Sequence, residues 1–192
     1  GDIYYWNTRP GGQSHETTHA NGNSGGNGGG LMYIGKQHIA DVTVNDISGI
    51  LCVAAGGGGP GGGNQQGRNT GLVESTFANN TNYIAYDGED GFSNLSGNNG
   101  QGGTVTDITS TYSITGNTSH FLSALESPSS SSDQYSGGGG GAGIFGSTNG
   151  VSHSVSNMAG SGGSGASLLR TTNTSNRHIA RTNTTPGFTV IG

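Results

Sequence analysis

The stretch whose residue types could do the sharpest chemistry is His15-Glu16-Thr17-Thr18-His19. On an α-helix an H-E-x-x-H spacing turns two imidazoles to one face, where they hold Zn²⁺ beside a glutamate that acts as general base. The surrounding residues work against a helix. Pro10-Gly11-Gly12 precede the motif, Asn21 and Gly22 follow it, and two β-branched threonines sit inside it. The third ligand of the longer metzincin pattern would fall on Gly25, which has no side chain. The expectation is therefore a polar loop; a zinc site of His15 and His19 with Glu16 as base is the enzymatic alternative.

Other patterns carry less. Asp87-Gly88-Glu89-Asp90-Gly91 has the oxygen density of a Ca²⁺ loop but lacks the distal bidentate glutamate, so an acidic turn is expected. Gly22-Asn23-Ser24-Gly25-Gly26 matches G-x-S-x-G, but a glycine run follows where a nucleophile elbow needs a helix. No G-K-[ST] phosphate loop and no C-x-x-C pair occurs, and nothing singles out a carboxylate pair among 11 acids. Cys52 is the sole cysteine, inside the apolar run Ile50 to Ala54, and reads as a buried thiol. The sequence thus points to no catalytic group and no cofactor.

Composition explains why catalytic motifs are scarce and says what must position any side chain. Glycine occurs 41 times in 192 residues, charged residues make up 9%, and Lys36 is the one lysine. Leu, Ile, Val and Phe together number 32, below the roughly one-fifth that a conventional core needs. A disordered chain would pair that with high net charge, yet the charge here is only −5. So few cations, with Arg170, Arg177 and Arg181 the only local cluster, do not make a phosphate-binding surface, and no nucleic-acid partner is expected. No apolar stretch approaches a membrane span, so no membrane insertion is expected either. The absence of a basic-then-apolar opening fits a mature form or export without such a signal.

Five glycine-rich segments punctuate the chain, at 25–30, 56–63, 97–103, 137–143 and 160–165. Between them lie short runs of strand character: 3–6, 31–34, 38–44, 50–55, 83–86, 104–108, 151–155 and 188–191. The best helix candidate, His120 to Glu126, is about two turns long and is stopped by Pro128 and a serine run. The predicted class is all-β with almost no α-helix. Residues 1–24 form an N-terminal strand and polar loop suited to attachment or assembly, and 25–192 form the glycine-rich domain. The runs abut apolar strands, as in Val53-Ala54-Ala55-Gly56, and separate segments too short to fold alone, which argues against flexible linkers. Packed polyproline-II-like helices, three residues per turn and bonded only to one another, are the alternative that needs glycine.

Leu51 to Ala55 leading into Gly56-Gly57-Gly58-Gly59-Pro60-Gly61-Gly62-Gly63, and Ser136 followed by Gly137 to Gly141, Ala142 and Gly143, resemble the glycine-rich motifs of tailed-phage fibre-tip adhesins. The resemblance implies a sandwich of polyglycine-II helices whose connecting loops bind a bacterial surface receptor, such as an outer-membrane protein or a glycan. It implies a virion-surface or extracellular location and other fibre proteins as partners. Tyrosine offers amphipathic contact area with few torsions to freeze, so Tyr83, Tyr86, Phe92, Tyr112, Phe121 and Tyr135 are the expected receptor-binding residues; the competing reading puts Tyr83 and Phe121 in a small core. A structural fibre subunit that self-assembles into homo-oligomers is the second class of function. An ice-binding polyglycine protein ranks below both, because the threonine spacing is irregular.

Overall fold

The computed structural model describes residues 2–63, 73–75, 82–117, 120–124, 130–155, 158–171, 178–179 and 190–191. Its strands are β1 (Tyr5–Arg9), β2 (Glu16–Thr17), β3 (Leu31–Gly35), β4 (Ile50–Ala54), β5 (Val73–Ser75), β6 (Tyr83–Asp87), β7 (Val105–Ile108), β8 (Ile114–Gly116), β9 (Phe121–Ser123), β10 (Ser130–Ser131), β11 (Gly143–Phe145), β12 (Ser167–Arg170), β13 (His178–Ile179) and β14 (Val190–Ile191). The protein is all-β: among the described residues the only helical element is a single 3-10 turn, Ile39–Asp41. Six strands form one antiparallel sheet in the order β1-β3-β4-β12-β6-β5.

Alternation sets the faces of that sheet. In β3, Leu31, Tyr33 and Gly35 are buried while Met32 and Ile34 are exposed, the period-2 pattern of a strand with one wet face. The register aligns Tyr33, Val53, Leu168 and Ala85 in one row across four strands, all fully buried. Ile108 and Ile114 of the β7–β8 hairpin and Ile144 and Phe145 of β11 close the same core. Tyr83 joins it, donating its hydroxyl to the carbonyls of Ile47 and Ile50 at 2.6 and 3.0 Å. Cys52 is buried too, and burial pushes its thiol up to about 11. The native chain is therefore expected to resist thiol reagents at neutral pH and to react with one equivalent once unfolded in urea. Rapid labelling without denaturant would contradict this burial.

Strands β1, β3, β4, β6, β7, β11 and β12 each adjoin a glycine segment. Residues 10–15 follow β1, 22–30 precede β3, 55–62 follow β4, 88–92 follow β6, 98–104 precede β7, 136–142 precede β11, 146–151 follow it, and 160–166 precede β12. Segment 136–142 shows how they pack. The N–H groups of Gly138 and Gly141 donate to Gly160 and Gly163, those of Gly139 and Ala142 to Gly26 and Gly29, and those of Gly137 and Gly140 to the side chains of Ser152 and Asn149. Its carbonyls accept in the same rhythm: Gly139 and Ala142 from Gly59 and Gly56, Gly137 and Gly140 from His15 and Gly12, Gly138 and Gly141 from Gly150 and Ser147. Every backbone donor and acceptor from 136 to 142 is satisfied, and partners recur every third residue. Segment 160–166 repeats the arrangement, with Gly162 and Gly165 donating to Gly59 and Gly56, Ser161 and Ser164 to Phe92 and Glu89, and Gly160 and Gly163 to Val151 and Thr148.

Several local expectations change. Alternation across 38–44 predicts a strand, but the His38 side chain accepts from the Ala40 N–H and starts the 3-10 turn instead. Val151 to Val155 is a loop, with the His153 ring accepting from the Val155 N–H. The helix expected from His120 is β9, paired with β11; residues 125–126 lie outside the described residues, as do 188–189 of the last strand prediction. Within 2–24, β1 is a strand of the main sheet and Gly12 is bonded within the glycine array. Arg170 donates to the Ser48 carbonyl and stands over the Tyr83 ring; Arg177 and Arg181 lie outside the described residues.

Candidate functional site

Because the strands enter the glycine array from one side, the loops at the other ends of the glycine segments gather at its far end. These are 15–22, 92–98, 130–135 and 151–159, the last without 156–157 among the described residues. They are tied together by backbone bonds. β2 pairs in parallel with β10, setting Glu16 against Ser130 and Thr17 against Ser131. The Thr17 hydroxyl donates to the Asp133 carbonyl. Tyr135 and His153 exchange two backbone bonds of 3.0 and 2.8 Å, and Tyr135 bridges to Asn23. On the other flank the Ser93 hydroxyl and the Asn98 amide both donate to the Met158 carbonyl, at 3.0 and 2.9 Å.

The fixed backbone leaves side chains pointing outward. Phe92, Leu95, Val151 and Val155 are 41%, 39%, 47% and 48% exposed. Around them stand Glu16, Thr18, His19, Asn94 and Ser154, exposed, and His15, Asp133, Tyr135 and His153, half-buried. Described tip residues include no lysine or arginine, so charge contributes little to the surface. Burial lowers the pKa of His15 and favours its neutral imidazole. Such a surface can recognise a partner by shape, aromatic contact and hydrogen bonding, with loops presented on a rigid scaffold.

The H-E-x-x-H motif lies on this surface in extended and turn conformation, not on a helix. An extended chain separates positions four apart by up to about 13 Å, against about 6 Å along a helix. The His19 ring accepts from the Asn21 N–H, and no three His, Cys, Asp or Glu side chains among the described residues converge as a metal site. The acidic turn is likewise occupied by the fold: the Asp90 carboxylate accepts from the Gly102 N–H at 2.7 Å, and that of Asp87 from the Val105 N–H at 2.9 Å.

The six expected receptor-binding aromatics are not brought together. Phe92 and Tyr135 are at the tip. Tyr83 and Tyr86 are buried in β6, an inner strand of the sheet whose residues 83–86 are all buried. Tyr112 is at the opposite end, with φ 64, its ring edge-on to Tyr83 and its hydroxyl accepting from Asn82. Phe121 packs edge-on against Phe145 and the core. Sequence reasoning missed Leu95, Val151, Val155 and His153. The signal was present: a glycine segment flanked by an apolar run on one side carries its tip loop on the other.

Comparison with protein-family models, curated proteins and solved structures returns no match for this chain.

Proposed function

We propose that this chain is a receptor-binding protein of a virion or other extracellular surface, a fibre-tip adhesin built on packed polyglycine-II helices. The three-residue recurrence of hydrogen-bond partners supports that helix type, since three residues complete one polyproline-II-like turn. The observation that carries the functional reading is the convergence of the inter-glycine loops on one face. There a backbone tied by hydrogen bonds between the loops displays Phe92, Leu95, Val151 and Val155 among polar side chains. A bacterial outer-membrane protein or surface glycan is the receptor class such a face suits. Other fibre proteins are the remaining partners of this reading.

Fluorescently labelled chain applied to a panel of bacterial surfaces tests it, with light scattering on the same sample. Selective binding that survives EDTA is expected. Binding lost with EDTA would restore a metal-dependent site at His15 and His19, and absence of cell binding together with polymer formation would favour a structural fibre subunit.

A further inference from the structure

Strand β1 ends the main sheet. It pairs with β3 on one side, and no described residue pairs with its other side. Edges of this kind are usually blunted by a central lysine, proline or bulge. Here the five residues Tyr-Trp-Asn-Thr-Arg run in unbroken register, with Pro10 only after the last of them. The same edge carries the largest exposed side chain of the fold: Trp6 is 78% exposed, and Ile3 and Tyr4 before it are 69% and 55% exposed. Cross-strand pairing puts Trp6 opposite Ile34 and Thr8 opposite Met32, so the apolar face continues onto β3, where Met32 is 49% exposed. Pairing along this edge extends the sheet and buries the flank of Trp6 against the incoming strand, while Met32 and Ile34, one strand further in, stay on the open face.

We propose that β1 is the seam of a homodimer, pairing antiparallel with β1 of a second copy about a two-fold axis at Asn7. The strand is self-complementary in that register. Asn7 meets Asn7, Trp6 meets Thr8 of the other copy, and the Tyr5 ring meets the exposed Arg9, which gains a cation–π partner. The remaining charge at this end is internally matched, with Lys36 held 2.9 Å from Asp2, so two copies meet without like charges opposed. An isologous seam closes on itself; pairing β1 with the opposite edge strand β5 would instead propagate a fibre. The seam leaves the tip loops free and does not depend on what they bind.

Trp6 is the chain's one tryptophan, so its emission reports the seam directly. Sedimentation of the 192-residue chain from dilute to millimolar concentration is expected to give a monomer–dimer equilibrium, with Trp6 emission moving to the blue at the same midpoint. Asn7→Lys, which sets two like charges directly opposite one another at the two-fold axis, is expected to raise the dimer Kd about tenfold or more. Its thermal unfolding should match that of the unaltered chain. Under air oxidation Asn7→Cys is expected to give a disulfide-linked dimer and Tyr5→Cys none, because two positions 5 lie about 13 Å apart along the strands; buried Cys52 does not compete. A chain that stays monomeric at millimolar concentration, one that polymerises, or dimers in which Asn7→Cys fails to cross-link would each overturn the proposal. The cross-linking pattern decides even if Asn7→Lys folds poorly.

Discussion

Replacing Gly162 by alanine is expected to cost about 3 kcal/mol or more of stability, lowering the melting temperature of a chain this size by roughly 6 to 12 °C. The reason is steric and not torsional. Among the described glycines only Gly63 and Gly97 have positive φ, so alanine can adopt the backbone conformation at position 162. By restricting the unfolded chain it would even stabilise slightly if space allowed. Space does not allow: a Cβ there would fall on the carbonyl oxygen of Gly139, backbone that is itself bonded to segments 22–30 and 56–62. Moving Gly139 aside breaks bonds to several neighbours at once, and each orphaned buried group adds about 1 to 3 kcal/mol. Gly97 is the control. Nothing lies within 4 Å of its added Cβ, but its φ is +87°, so Gly97→Ala is expected to cost about 1 kcal/mol from backbone strain alone. Urea unfolding of both variants separates the two causes. A Gly162→Ala chain within about 0.5 kcal/mol of the parent would mean that the array relaxes around a methyl group and is not close-packed.

The sequence shows the ingredients of this architecture more clearly than its connections. Strands β3, β4, β6 and β7 are legible because each is a run of β-branched and aromatic residues next to a glycine segment. β12 is missed although it lies in the middle of the sheet. Ser167-Leu168-Leu169-Arg170 is too short to display a period, and its place is fixed by long-range pairing with β4 and β6, which no local pattern encodes. Segments 10–15, 88–92 and 146–151 escape notice for the opposite reason. They hold too few glycines to read as runs, because they lie at the margin of the array, where the side chains of Asn149, Asp90 and Ser152 complete backbone bonds that glycine neighbours supply at the centre. The candidate site follows the same rule. Tyr83 looks like a recognition residue in a polar, aromatic stretch, yet its hydroxyl finds two carbonyls, which lets the whole ring enter the core. Val151 and Val155 look like a strand by alternation and are instead held out to solvent by the loop.

That inversion fixes where binding should be lost. On the proposed reading, Phe92→Ala and Val155→Asp are each expected to weaken attachment to a susceptible bacterium by about 2 kcal/mol, on the order of thirtyfold in Kd. Both side chains are exposed, so the melting temperature should scarcely move. Tyr112→Phe, at the opposite end, removes only the hydroxyl that accepts from Asn82 and should leave attachment unchanged. Tyr83→Phe makes the sharper comparison. It takes the hydroxyl away from two buried carbonyls, of which that of Ile47 keeps the Ile50 N–H, so it should destabilise the chain by about 1 to 2 kcal/mol while binding per folded molecule stays the same. Because the described tip residues include no lysine or arginine, raising the salt concentration should change the affinity of the unaltered chain only slightly, whereas contact through charge would weaken steeply. Equal losses from both ends, or a steep salt dependence with intact tip variants, would move the receptor contact off the inter-glycine loops and leave the glycine array as a scaffold for some other surface of the chain.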